Sequence, residues 1–189
     1  MGDSVSFIYP FMNKIVLVTG GARSGKSRFA LSLGEAFSKK AYVATAQALD
    51  REMAERIAKH REGRDPAYVT FEVPIELPQF LRSSAHSFPF VLVDCLTLWL
   101  ANLLQGEKSG SVENEIEDFL TGLEASSTLV LVSNEVGMGV VPSSDLGRRF
   151  RDLQGLLNQQ VGDRAHEVYF MVAGLPLVLK KKEGIYESV

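Results

Sequence analysis

Gly20-Gly21-Ala22-Arg23-Ser24-Gly25-Lys26-Ser27 is the stretch that decides the reading of this chain. It has the form G-x-x-x-x-G-K-[ST], and its flanks are the ones the motif requires. Ile15 to Val18 is an apolar run that reads as a buried strand; Phe29, Ala30, Leu33 and Phe37 follow at helical spacing. The glycines let the backbone curl so that successive N–H groups converge on phosphate oxygens, at the positive end of the following helix. In such a loop the lysine, here Lys26, reaches the β- and γ-phosphates, and the hydroxyl of Ser27 ligates Mg²⁺. A plain glycine-rich turn has no need of Lys-Ser at its end. The motif predicts a nucleoside triphosphate site.

At 189 residues, 46% hydrophobic and 23% charged, the chain can bury a full core without metal or disulfide staples. Its formal net charge of -3 argues against a nucleic-acid or membrane-surface partner. Cys95 is the single cysteine, which excludes an intramolecular disulfide and suits a reducing cytoplasm. No apolar run approaches the ~18–20 residues of a membrane span. Residues 1–12 are expected to be an N-terminal extension; Asp3, Pro10 and the missing basic region do not make a signal peptide. Residues 13–180 are expected to form one nucleotide-binding domain, and 181–189 a tail.

Farther along, Ala41 to Thr45 reads as a second strand that ends in Thr45-Ala46-Gln47. In parallel α/β sheets ligands sit beyond the carboxyl ends of strands, so this trio should border the nucleotide. Asp50 caps a predicted helix to about Arg61, with Met53, Ile57 and His60 on one face. His60 is open to two readings. It is either a half-buried histidine in the core or a nucleophile among Arg56, Arg61 and Arg64, which could hold phosphate. Tyr68 to Val73 is a short strand carrying Glu72, a purine-base acceptor or a solvated charge. His86 falls in a Ser-rich loop.

Phe90 to Asp94 is a buried strand ending in an acid, which in P-loop proteins holds Mg²⁺ beside the loop hydroxyl. Leu96 to Leu104 follows as an apolar helix with Trp99 in the core. Val112, Ile116, Phe119, Leu120 and Leu123 mark an amphipathic helix. Leu129 to Val132 is another buried strand, running into Ser133-Asn134-Glu135 and the glycine-punctuated apolar loop Val136–Pro142. That loop is a lid, a groove for a large apolar substrate, or an irregular buried connection. Leu146, Phe150, Leu153, Leu157 and Val161 form the stripe of the next helix. Glu167 to Val172 is the last expected strand, followed by a short solvated end with Lys180-Lys181-Lys182. The alternation predicts an α/β fold, a mainly parallel sheet with helices on both faces.

Several segments together resemble one family. They are Thr19–Ser27; Ala44-Thr45-Ala46; Asp50-x-Glu52-Met53-x-x-Arg56-Ile57-x-x-His60-Arg61-x-x-Arg64; Val93-Asp94-Cys95-Leu96-Thr97-Leu98-Trp99; Ser133–Pro142; and Arg149-Phe150-Arg151-Asp152. They are similar to the bifunctional adenosylcobinamide kinase/adenosylcobinamide-phosphate guanylyltransferases of cobalamin synthesis. The P-loop is shared by many families; the His60 and Asn134–Pro142 segments are specific. The resemblance implies a RecA-like P-loop NTPase fold and two reactions. A nucleoside triphosphate, ATP or GTP, phosphorylates adenosylcobinamide. GTP then guanylylates His60, and the GMP passes to adenosylcobinamide phosphate.

Residue by residue, the resemblance implies catalytic roles for His60 and Lys26. It implies nucleotide contacts from Gly20, Gly21, Ala22, Arg23, Ser24, Gly25, Lys26, Ser27, Thr45, Ala46, Gln47, Arg61, Glu62, Gly63, Arg64, Glu72 and Asp94. Mg²⁺ would sit on Ser27 and Asp94, and related enzymes are trimers. Two alternatives stand beside it. One is a P-loop small-molecule kinase without nucleotidyl transfer; the other is a RecA-like ATPase or switch acting on partner proteins.

Overall fold

The central strands are continuous apolar runs because both of their faces are buried. In the computed structural model, which describes residues 13–48, 51, 55, 64–106, 112–123 and 127–181, β1 (Ile15–Gly20) sends Ile15 and Leu17 into one core and Val16 and Val18 into another. β2 (Lys40–Ala44), β4 (Phe90–Asp94) and β5 (Thr128–Val132) divide in the same way. With β3 (Tyr68–Glu72), β6 (Glu167–Val172) and β7 (Leu175–Lys181) they form a seven-stranded sheet of order β3-β2-β4-β5-β1-β6-β7. Every neighbouring pair is parallel except β6 and β7.

Helices cover both faces, as the alternation predicts. One face carries α2 (Leu77–Ser83), α3 (Leu96–Gln105), α4 (Val112–Thr121) and α5 (Asp145–Arg164). There Trp99 and Phe119 are fully buried with ring centroids 5.0 Å apart. On the other face lies α1 (Lys26–Ser32), with Ala30 buried against Val16 and Val18. α1 stops a turn earlier than the Phe29–Phe37 spacing suggests. Tight turns from Gly34 to Leu31 and from Phe37 to Gly34 replace it, and Phe37 still reaches the core beside Phe90. The α5 stripe is buried at Leu157 and Val161, half-buried at Phe150 and Leu153, and exposed at Leu146.

The end of the chain departs from the expected tail. After β6 it turns through Ala173 (φ 51) and Gly174 (φ 81) and returns as β7. A two-residue hairpin with both φ positive favours Asn-Gly or Asp-Gly, and alanine at the first position hid the turn. Lys180 is not simply solvated: its Nζ donates to the carbonyls of Gly162 and Asp163 at the end of α5, 2.9 Å each.

Gly20 sits where the sheet hands over to the loop, at φ +142, and a Cβ there would lie 2.5 Å from the Met171 carbonyl oxygen. We predict that Gly20→Ala lowers the unfolding free energy by about 1–3 kcal/mol, read from urea denaturation. An unchanged midpoint would contradict this placement of the loop root.

Candidate nucleotide site

The loop from Gly21 to Gly25 joins β1 to α1 at the carboxyl edge of the sheet. It is tied on two sides. The Ser133 and Glu135 amides donate to the Val18 and Gly20 carbonyls at 2.9 and 3.1 Å, so β5 tracks β1 to the loop's root. The Gly174 amide, at the tip of the β6–β7 turn, donates to the Ser24 carbonyl at 3.1 Å. Arg23 adopts φ 56 and Gly25, the residue before α1, φ 97. No side chain caps α1, which leaves its first amides for another acceptor. Lys26 is buried and folds back, Nζ donating to the Gly21 carbonyl at 2.5 Å. The buried hydroxyls of Thr19 and Ser24 have no hydrogen-bond partner among the described residues. Such groups are costly to leave unmade. The loop is built to receive an anion.

Asp94, at the end of β4, stands two strands from β1, about 10 Å at ordinary strand spacing. Tyr42 on β2 donates its hydroxyl to Asp94 Oδ2 at 2.8 Å. Burial, and then the adjacent Asp94 charge, push the Tyr42 phenol far above its usual range, so it stays a donor. The Arg64 guanidinium lies 3.4 Å over the Tyr42 ring, and its Nη1 donates to Thr70 Oγ1 at 2.7 Å. Next to it, Asp65 accepts from buried Lys40 at 2.5 Å. That bond, and then one from the Ala67 amide, hold the Asp65 carboxyl below its usual range. Residues 64–67 are thereby pinned to β2.

Thr45 is committed to structure. Its hydroxyl donates to the Cys95 carbonyl and accepts from the Cys95 amide, both at 2.8 Å. Asn102 Nδ2 donates to the Thr45 carbonyl at 2.8 Å and to that of Pro74 at 3.0 Å. Ala46 and Gln47 follow half-buried. Burial, and then Asp94, push the Cys95 thiol up to about 11, so it is no nucleophile at neutral pH.

Gly20–Ser27 and Asp94 thus lie on one edge of the sheet, with β5 between their strands. Glu72, exposed at the end of β3, is four strands from β1, about 19 Å. His60, Arg61, Glu62 and Gly63 lie outside the described residues, as do Asp50, Met53, Arg56 and Ile57. Arg51 and Glu55, which belong to that predicted helix, are helical and paired at 2.9 Å.

Two features were not anticipated from sequence. Tyr42 reads as an ordinary core aromatic in a strand. The second is a polar knot inside the α5 stripe. Ser133 Oγ donates to Asn158 Oδ1 at 2.6 Å, and Gln154 Nε2 donates to both oxygens at 2.9 and 3.0 Å. Asn158 Nδ2 then reaches the Asn134 carbonyl at 3.1 Å and Glu135 Oε2 at 3.3 Å. Two amides at i and i+4 on a buried helix face were the available signal. The loop beyond is exposed, not a buried connection: Met138, Val140 and Val141 all face outward.

Residues 16–179 match the family described as cobinamide kinase / cobinamide phosphate guanyltransferase, CobU. The chain belongs to this family. The bifunctional adenosylcobalamin biosynthesis protein CobP of Pseudomonas aeruginosa is 48% identical over 166 residues, covering 87% of this chain and 96% of that protein. The protein of the same description named CobU in Escherichia coli is 39% identical over 180 residues, covering 88% of this chain and 99% of that one. Among solved structures, the flagellar accessory protein FlaH of Methanocaldococcus jannaschii aligns with a TM-score of 0.51 at 13% identity, covering 90% of this chain and 79% of that one. That likeness concerns the fold alone, a mostly parallel sheet with the Gly20–Ser27 loop after its first strand.

Tyr42, Tyr68 and Tyr169 all hold their protons above the ordinary tyrosine range, burial being the first cause in each, with Tyr68 and Tyr169 pushed up to about 12. The unfolded chain releases these protons near pH 10 while the folded chain keeps them. Stability present below pH 10 is therefore lost as pH rises toward 12. The urea midpoint should fall across that window, and less steeply in Tyr42→Phe. At neutral pH Tyr42→Phe should cost about 1.5–3 kcal/mol, as for a hydrogen bond to a charged group. A midpoint flat from pH 10 to 12 would contradict the assignment.

Proposed function

We propose that this protein phosphorylates adenosylcobinamide and then transfers GMP from GTP to the product through a guanylylated His60, giving adenosylcobinamide-GDP. The observation that carries this reading is the family match over residues 16–179, with the P-loop and its Lys26 intact inside it. In the kinase step the amides of Gly20 to Gly25, with Ala22, Arg23 and Ser24 between them, cradle the phosphates, and Lys26 meets the charge at the β- and γ-positions. In the guanylyl step a neutral nitrogen of His60 attacks the α-phosphorus, and the bond to the pyrophosphate leaving group breaks. A phosphate oxygen of the corrinoid then attacks the same phosphorus and frees the imidazole.

Ser27 and Asp94 would hold Mg²⁺. Among the described residues no group of three or more His, Cys, Asp and Glu could hold a metal. A hydroxyl and one carboxylate, completed by phosphate oxygens, is the hard-oxygen set that Mg²⁺ takes. When bound, the ion would neutralise charge on the transferring group.

Arg61, Glu62, Gly63 and Arg64 would hold the GTP phosphates near His60, with Thr45-Ala46-Gln47 lining the edge and Glu72 accepting from the guanine. The Arg64 guanidinium sits over β2, three strands from β1 and about 14 Å from it. We therefore place movement of the His60 segment, or a second nucleotide pose, between the two reactions. The exposed Gly137–Pro142 loop would receive the corrinoid. Leu175, Leu177 and Leu179 expose apolar surface along edge strand β7, which supports self-association, and the family resemblance makes that assembly a homotrimer. No described helix is long and apolar enough to cross a membrane, and a cytoplasmic setting suits the single thiol.

Lys26→Ala should slow phosphate transfer by about 10²–10³-fold or more, from loss of one preorganised donor. His60→Ala should abolish GMP transfer to adenosylcobinamide phosphate while the kinase step persists, measured with separately labelled nucleotides. Equal loss of both activities in a folded His60→Ala protein would contradict the division of labour.

A further inference from the structure

Glu135 lies between the phosphate loop and the exposed loop that follows it. Its amide is bonded to the Gly20 carbonyl at 3.1 Å, which fixes its backbone at the loop's root. Its Oε2 accepts from Asn158 Nδ2 at 3.3 Å, and its Oε1 faces the following loop, where a Cβ on Gly137 would stand 3.5 Å away. Asn158 is itself buried and held by Ser133 and Gln154 on the long helix α5. This is an expensive arrangement for a merely solvated acid. A buried amide network ends on a half-buried carboxylate, and β5, which delivers it, is the strand adjacent to β1. The other two acids at strand ends on this edge are otherwise placed. Asp94 takes the Tyr42 hydroxyl, and Glu72 is four strands from β1.

We propose that Glu135 is the general base of the kinase step and that Asn158 is the positioning residue that aims it. The proposal rests on the kinase reading given above. Glu135 takes the proton of the acceptor hydroxyl as that oxygen bonds to the γ-phosphorus. The bond between the γ-phosphorus and the β,γ-bridging oxygen breaks, and its electron pair leaves with the nucleoside diphosphate. The proton passes to solvent when the products leave. Covalent guanylylation of a neutral histidine needs no such base, so the role belongs to one reaction only.

The test is steady-state phosphorylation of adenosylcobinamide by the full-length protein with Mg²⁺ and ATP or GTP. In Glu135→Ala, kcat should fall about 10²–10⁴-fold, the usual span for a general base, with the nucleotide KM little changed. Added formate should restore part of that rate, which a structural defect would not allow. Asn158→Ala should lower kcat and leave both KM values in place. The proposal is overturned if Glu135→Ala keeps kcat within about threefold of wild type, or if formate relieves none of its loss. A wild-type protein that transfers no phosphate to adenosylcobinamide would refute the functional reading itself, and the wild-type measurement separates that failure from failure of the base.

Discussion

The root of the phosphate loop is held from several sides. Gly20 is bonded by the Glu135 amide on one side and lies against the Met171 backbone on the other, while the Gly174 amide ties down Ser24. Three strands, β5, β1 and β6, converge on this point, and the β6–β7 turn closes over it. Phosphoryl transfer leaves a protein little covalent chemistry to do, so positioning and fixed dipoles supply the rate. A loop clamped by backbone bonds on two sides meets that demand without reorganising.

Charge on the same edge is divided by the sheet order. β5 separates β1 from β4, so the phosphate loop and the Asp94 carboxylate stand at the ends of different strands. Tyr42 holds Asp94 from below, and Arg64 stacks on Tyr42. The segment that carries His60 therefore ends in a residue one aromatic ring away from the proposed metal carboxylate.

The sheet was legible in the sequence for a simple reason. β1, β4 and β5 are buried on both faces and so appear as unbroken apolar runs, and the glycine-lysine loop follows the first of them. β7 was not legible. Its leucines are exposed at an edge, so they carry no burial pattern, and Ala173-Gly174 lacks the usual residues of its turn type. The position of Gly20–Ser27 and Asp94 at the carboxyl ends of their strands was readable from the spacing motif and the apolar runs before them. Tyr42, Gln154 and Asn158 were not, because their roles depend on partners far away in sequence that only the fold brings within reach. Thr45 was readable as a residue of this edge, but its hydroxyl is spent on bracing Cys95.

A chain that carries both transfers, the second through His60, must hold a covalent nucleotide during turnover. The most direct measurement is peptide mapping by mass spectrometry after incubation with Mg²⁺ and GTP, with denaturation and digestion kept alkaline to preserve an acid-labile phosphoramidate. One guanylyl group is expected, on the peptide containing His60 and on that residue. No adduct, or an adduct on another residue while GMP transfer to adenosylcobinamide phosphate proceeds, would contradict it.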